Sequence, residues 1–278
     1  LAEQPRLARS ALYVPGDAPD KLRKALDRGA DELIVDLEDA VAVDRKELAR
    51  DIVATWLDGL PDTETTIWVR INPGAPMAED VRAIGGAANL AGVMLAKTES
   101  AEELVGLDGL LAAEGSHARV VPLLESAAAV LRALEIASGP RVQRLQIGEA
   151  DLRADIGVTT GPDERELLHV RSHVVLASSA AGIAPPIAPV STEFRDLDAF
   201  RASTEALARL GFVGRACIHP AQVAVANEVF TPSAAEVEKA QALLERFSGG
   251  EAVGVDADGR FVDEAVLRQA RLVLARTR

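Results

Sequence analysis

The chain has 278 residues, 48% of them hydrophobic and 26% charged, with 43 acidic against 30 basic side chains and a formal net charge of −13. That is a globular composition, long enough for one barrel of roughly 250 residues or for two smaller domains, and it excludes disorder over most of the length. The acidic balance and the 3% aromatic content exclude nucleic acid as the main partner, because binding it needs cationic side chains or stacking platforms.

Taken in chain order, short apolar runs alternate with longer stretches of helical spacing, the pattern of parallel strands joined by crossover helices. Eight runs follow one another, at 10–15, 32–37, 66–71, 92–96, 119–124, 144–147, 184–190 and 214–218. The seventh is rich in proline and the least regular. The helical stretches carry recognisable ends. Pro19, after Asp17, opens a first turn, Gly29 stands where a left-handed C-terminal residue belongs, and Ser100 with Glu103 spells a capping box. Eight repeats without a Gly/Ser linker predict an α/β chain folded as a closed (β/α)8 TIM barrel over residues 1–231, an open doubly wound sheet being the alternative. After Pro232 the pattern changes to a helix over 233–247, a glycine-rich break, a hairpin turned at Asp258-Gly259 and a helix over 263–276. Residues 232–278 therefore read as a helical and hairpin extension.

The most apolar long stretch, 174–190, is broken by Ser178, Ser179, Gly182 and three prolines, so no membrane span is expected. The opening residues from Leu1 to Arg6 lack the apolar core of a secretory signal, and export is not expected. A single cysteine, Cys217, excludes an intramolecular disulfide framework and a multi-cysteine zinc site, and fits a reducing, cytoplasmic setting.

Barrel active sites are built at the C-terminal ends of strands, and here the polar residues gather at those ends. The second run ends in Asp36-Leu37-Glu38-Asp39, the third in Arg70-Ile71-Asn72, the fourth in Lys97, the fifth in Glu125, the sixth in Glu149-Ala150-Asp151 and the eighth in His219-Pro220. A strand that ends in a charge often does no more than meet water. Six doing so at one end imply a shared rim, and carboxylates gathered there need a cation or internal ion pairs. Oxygen ligands without histidine or cysteine at metal spacing point to Mg2+ or Mn2+ over zinc. The other polar candidates read as structural. His169 and His173 stand at i, i+4, but Val170 replaces the glutamate of an HExxH motif. Cys217, in an apolar run, reads as a small buried hydrophobe, and Asp256-Ala257-Asp258-Gly259 reads as a turn because it lacks the later ligands of a calcium loop. GxGxxG, Walker A and GxSxG sequences are absent, which leaves nucleotide-binding and serine-hydrolase readings without an anchor.

The runs Arg9-Ser10-Ala11-Leu12-Tyr13-Val14-Pro15-Gly16, Ile34-Val35-Asp36-Leu37-Glu38-Asp39-Ala40-Val41 and Val69-Arg70-Ile71-Asn72 resemble the citrate lyase beta-subunit-like branch of the HpcH/HpaI aldolase family. So do Met94-Leu95-Ala96-Lys97, Leu124-Glu125-Ser126, Gly148-Glu149-Ala150-Asp151-Leu152, Cys217-Ile218-His219-Pro220-Ala221-Gln222 and Gly259-Arg260-Phe261-Val262-Asp263, in order along nearly the whole chain. The resemblance implies a (β/α)8 lyase that makes or breaks a carbon–carbon bond between a 2-oxo acid and a thioester acyl group, with malyl-CoA, citramalyl-CoA or citryl-CoA as substrate. It implies Glu125 and Asp151 as Mg2+ ligands, with Mn2+ able to substitute, Arg70 as the clamp on the oxo-acid carboxylate, and Glu125, Tyr13, Lys24 and His219 near substrate. Lys24 and the Tyr13 region fall by the CoA arm, while Asp36, Glu38, Asp39 and Lys97 stand behind the ligands. Cleaving a β-hydroxy thioester expels an enolate, which explains the need for a metal at the oxygen and an arginine fork on the carboxylate.

By the same resemblance, Asp263 enters the active site of a neighbouring subunit and exchanges a proton with the thioester α-carbon, which implies a homo-oligomer, a trimer or hexamer. Two departures stand out: Ala18 occupies a position that is often basic in relatives, and Glu149 is displaced by one from their Glu-Asp-Leu order and is assigned no role. The other readings are the acyl lyase subunit of a citrate lyase complex acting on a carrier-protein thioester, a malyl-CoA-type thioester hydrolase, and a non-catalytic CoA or organic-acid binder.

Overall fold

The computed structural model describes residues 7–248, 253–256 and 259–277. These form two compact units, one of Ala8–Asn227 and one built chiefly from Glu228 onwards.

The first unit is an α/β fold around seven parallel strands: β1 Ser10–Pro15, β2 Glu32–Asp36, β3 Thr66–Ile71, β4 Gly92–Leu95, β5 Arg119–Leu124, β6 Gln146–Ile147 and β7 Arg215–Cys217, in the order β6-β5-β4-β3-β2-β1-β7. Each lies within a predicted run. The seventh predicted run, 184–190, is not a strand. Pro185, Pro186 and Pro189 bring no amide hydrogen to a ladder, and what remains is one parallel bridge from Ile187 to Gln146 and another from Ala188 to Arg215. The sheet is therefore barrel-like, with seven strands among the described residues where eight were expected.

The strands are apolar on both faces because both are covered. One face packs Ala11, Ile34, Trp68, Met94, Val121, Leu123, Ile187 and Ala216 into a common interior. Beneath the polar ends, Arg144 donates to Glu32 at 2.9 Å and lies over the Trp68 ring at 5.0 Å, a buried ion pair inside an otherwise apolar core. The other face carries residues such as Leu33, Val35, Ile67 and Val69 and is covered by helices that include Lys46–Asp58, Pro76–Ile84, Ala101–Ala113 and Leu197–Leu210. Pro19 opens a helix and Gly29 has φ +72°, as their positions predict. Only half of the expected capping box forms: Ser100 accepts from the Glu103 amide, but the Glu103 carboxylate accepts from Glu99 instead.

In the second unit, helix Ala234–Arg246 starts with a full capping box between Ser233 and Glu236. A two-stranded antiparallel ladder pairs β8 Gly254–Val255 with β9 Phe261–Val262. The expected turn at Asp258-Gly259 falls partly outside the described residues, though Gly259 does take the left-handed φ of +76°. Phe247, Val262 and Leu267 form this unit's own small core.

Candidate active site

The C-terminal ends of the strands enclose a cavity of about 330 Å³. Tyr13, Asp36, Asp39, Arg70, Glu125, Gln146, Glu149 and Asp151 line it together with an apolar set that includes Leu123, Ile147, Val190 and Ile218. Of the predicted rim, Asp36, Asp39, Arg70, Glu125, Glu149 and Asp151 thus share one cavity.

Parallel register explains the central pair. Asp36 and Arg70 are partners across β2 and β3, and Arg70 donates to Asp36 from Nε and Nη2 at 2.7 and 2.5 Å. Its Nη1 lies 3.2 Å from Glu38. Asp36 also accepts the amides of Glu38 and Ala40 at 2.8 and 3.1 Å, which shapes the turn after β2. Burial opposes the charge on Arg70, yet the Asp36 carboxylate overcomes it and keeps the guanidinium raised above its ordinary pKa. The Arg70 fork sits 5.2 Å from the Tyr13 ring, whose hydroxyl contacts Met94 Sδ at 3.1 Å and is pushed up by burial, so it stays protonated.

Lys97 works from both ends. Its backbone, at φ +49°, turns the amide onto Glu125 Oε2 at 2.7 Å, while its ammonium pairs with Glu38 and, at 3.3 Å, with Asp39. Glu125 is buried in the cavity wall. Burial, helped by the charges of Asp151 and Glu38 and opposed by the Lys97 amide and Arg70, pushes its carboxyl up to about 7. Asp151, exposed in the cavity, lies on the first turn of helix Glu149–Ile156. Neither Glu125 nor Asp151 is ion-paired to a protein cation among the described residues. Two carboxylates with that excess of negative charge, and no nitrogen or sulfur ligand beside them, fit a hard divalent cation that takes its remaining ligands from water and substrate. No group of three or more metal-binding side chains is present among the described residues.

Glycine makes the approach possible. A Cβ on Gly148 would lie 2.5 Å from both Cγ and Oε1 of Glu125, so only glycine lets the carboxylate rest against the start of the Asp151 helix.

Several supports were not visible as motifs. Glu149 is held bidentately by Arg171, at 2.6 and 2.7 Å, and Arg171 also reaches Glu164. Lys46 donates to the carbonyls of Leu37 and Glu38 at 2.7 and 2.6 Å. Asn72 donates to Leu37 O at 2.9 Å and to Asp80, which Arg50 neutralises at 2.7 Å. These partners lie on helices behind the rim and have no fixed spacing from it.

Two expected residues stand apart. Lys24 is exposed on helix Pro19–Ala25, and His219 is exposed after β7, stacked on Phe194 with ring centroids 5.0 Å apart; neither lines the cavity. Asp263, in the second unit, caps helix Glu264–Leu274 by accepting the Val266 amide at 3.1 Å. Cys217 is buried, and burial pushes its thiol up to about 12, consistent with packing and not with nucleophilic use. His169 and His173 stack on one helix, as ordinary helix histidines do.

Residues 9–220 match the family model described as HpcH/HpaI aldolase/citrate lyase. At 34% identity, the chain resembles a citrate lyase subunit beta-like protein of Deinococcus radiodurans over 98% of both chains. It is also 34% identical to a (3S)-malyl-CoA thioesterase of Cereibacter sphaeroides, covering 99% of this chain and 96% of that one. An L-malyl-CoA/beta-methylmalyl-CoA lyase of Cereibacter sphaeroides shows the same identity over 96% and 93%. Among solved structures, CitE of Mycobacterium tuberculosis in complex with magnesium, acetoacetate and coenzyme A superposes with a TM-score of 0.78 at 31% identity, over 96% of this chain and 97% of that one. No described helix is long and apolar enough to cross a membrane.

Proposed function

The chain belongs to the HpcH/HpaI aldolase/citrate lyase family, and from that premise we propose a Mg2+-dependent carbon–carbon lyase that cleaves or forms a short β-hydroxy acyl-CoA such as malyl-CoA, citramalyl-CoA or citryl-CoA. The products of cleavage are an acyl-CoA and a 2-oxo acid. The observation that carries the reading is the pair of cation-free carboxylates, Glu125 and Asp151, sharing one cavity with the Arg70 fork.

Glu125 and Asp151 hold the ion, and when bound it supplies Lewis-acid stabilisation of negative charge on the substrate oxygen. Arg70 grips the oxo-acid carboxylate with donors that Asp36 and Glu38 leave unused, and those two acids hold the fork in place. Tyr13 stays neutral beside it and bounds the reacting end of the cavity. Lys97 fixes Glu125 with its amide while its ammonium neutralises Glu38 and Asp39, and the Arg171 guanidinium holds and neutralises Glu149 at the start of the Asp151 helix. Lys24 contacts the anionic CoA arm and His219 the rim. Asp263 of a neighbouring subunit exchanges the proton at the thioester α-carbon, so that residues 232–278 complete the site of a homotrimer or a multiple of it. The parallel bridges of Ile187 and Ala188 to the two edge strands support a closed (β/α)8 barrel, and a cytoplasmic location fits the single buried cysteine.

The test is to incubate the protein and Mg2+ with malyl, citramalyl and citryl thioesters, on CoA and on carrier protein, and follow release of oxo acid and acyl thioester. Carrier-only turnover identifies a citrate lyase subunit. Free CoA without oxo acid identifies a hydrolase, a second reading favoured by the relative named malyl-CoA thioesterase. No turnover on any thioester overturns the proposal.

A further inference from the structure

Resting on the lyase reading, we infer that the oxo acid handled by this cavity carries one carboxylate, glyoxylate or pyruvate, and that a thioester releasing oxaloacetate is rejected by charge. Malyl-, citramalyl- and citryl-CoA all break into acetyl-CoA and an oxo acid. The carbon–carbon bond yields its electron pair to the thioester α-carbon, which gains a proton as the hydroxyl loses one. The three differ only in what the oxo acid carries beside its carbonyl: hydrogen, methyl or carboxymethyl. Discrimination therefore depends on whether the site can seat a second carboxylate.

The lining answers that. Arg70 is the only basic side chain among the described residues of the cavity wall, against the acids Asp36, Asp39, Glu125, Glu149 and Asp151. The cations that hold or back those acids are already engaged, and Arg153 donates to the Glu149 carbonyl and Thr160 Oγ1. Arg70 is on Asp36 and Glu38, Lys97 on Glu38 and Asp39, Arg171 on Glu149 and Glu164, and Lys46 on two backbone carbonyls. A divalent ion on Glu125 and Asp151 neutralises those two charges and leaves the Arg70 fork for a single substrate carboxylate. The rest of the wall is apolar at Leu123, Ile147, Val190 and Ile218, and its neutral polar side chains, Tyr13 and Gln146, bring no positive charge. A carboxymethyl group would enter that wall as an unpaired charge next to acids, whereas hydrogen or methyl meets it without cost.

The experiment measures kcat/KM of the Mg2+-loaded protein for the three CoA thioesters by acetyl-CoA release, and the affinities of glyoxylate, pyruvate and oxaloacetate alone by calorimetry. Malyl- or citramalyl-CoA should exceed citryl-CoA by about 100-fold or more, with the same order among the free acids. Citryl-CoA cleaved within tenfold of the better of the other two would overturn the inference while leaving the lyase reading intact. Failure on all three thioesters would remove the lyase reading, and the calorimetric order would still decide the charge argument. Ile218→Lys places a cation on the exposed part of the apolar wall and should narrow the citryl-CoA deficit at least tenfold. A folded Ile218→Lys protein with no such gain shows that missing charge is not what discriminates.

Discussion

Asp36 and Arg70 are register partners on adjacent parallel strands, and the guanidinium closes on the carboxylate with two hydrogen bonds of 2.7 and 2.5 Å. The turn amides on Asp36 fix the other side of that carboxylate, so the fork is oriented before a substrate arrives. A lysine at position 70 would keep the charge and lose the plane. Arg70→Lys is expected to lower kcat/KM about 100-fold through misplacement of the bound carboxylate. Asp36→Ala should cost about 3–5 kcal/mol in stability as well, because it strands a buried guanidinium. Steady-state kinetics with denaturant unfolding checks both, and near-normal kcat/KM in Arg70→Lys would make Arg70 a purely structural residue.

Glu125→Gln and Asp151→Asn keep the side-chain volume and remove the ligand charge. Each is expected to abolish Mg2+-dependent turnover while the circular dichroism spectrum stays that of the parent. Full activity in either variant would remove the centre of the proposed mechanism.

Gly148 offers a subtler lesion. The Cβ of Gly148→Ala would fall inside contact distance of Glu125 Cγ and Oε1 and force the carboxylate away from its place beside the Asp151 helix. Mg2+ affinity should fall about 10- to 100-fold, the range seen when a group that orients a metal ligand is lost. Calorimetric titration of the folded variant with Mg2+ is the measurement, and an unchanged dissociation constant would show that the carboxylate has another way to bind.

The Glu125 carboxyl, raised by burial to about 7, links metal binding to pH. A cation takes the ionised form, so binding below that value displaces a proton. The apparent Mg2+ dissociation constant should be flat above about pH 8 and rise about tenfold per unit below 7. Stability of the metal-free protein moves the other way. The folded value lies above the ordinary 4.5, so the native state holds more protons between the two, and the Glu125 contribution is present at low pH and lost as pH rises through 7. Mg2+ should therefore raise the melting temperature more at pH 8 than at pH 5.5. An equal shift at both would exclude Glu125 as a ligand.

How far the sequence carried the site follows from where each residue gets its position. Asp36, Arg70, Glu125 and Asp151 are legible because each lies at or within four residues of the end of an apolar run, and parallel register then aligns those ends. Arg171, Lys46 and Asp80 are not, since they reach the rim from helices 8 to 22 residues away from the groups they hold. Run 184–190 misled for a different reason: its hydrophobicity is that of a buried strand, but three prolines leave only two bridges. Lys24 and His219 were placed by motif position alone, and exposure on a helix and on a rim is what that position gives them.

Asp263 is where the sequence motif and the local structure pull apart. Its carboxylate caps the last helix through Oδ1 and Val266, which is what an aspartate before Glu264-Ala265 does for purely local reasons. A capping carboxylate keeps a second oxygen, which the proposed role in trans would turn to a neighbouring subunit's thioester. If Asp263 acts only as a cap, Asp263→Asn should behave as wild type, since asparagine caps about as well. If it carries the α-carbon proton, Asp263→Asn should lose about 100-fold or more in kcat with little change in melting temperature. The arrangement in trans has its own signature. Inactive Asp263→Asn and inactive Glu125→Gln proteins, dissociated and reassociated together, should recover part of the parent activity, because some mixed sites then combine an intact Glu125 with an intact Asp263 from a neighbour. Subunit exchange is followed independently by energy transfer between labelled chains. A mixture that exchanges yet stays inactive would put Asp263 outside its neighbour's site, and an active Asp263→Asn protein would return it to the role of a cap.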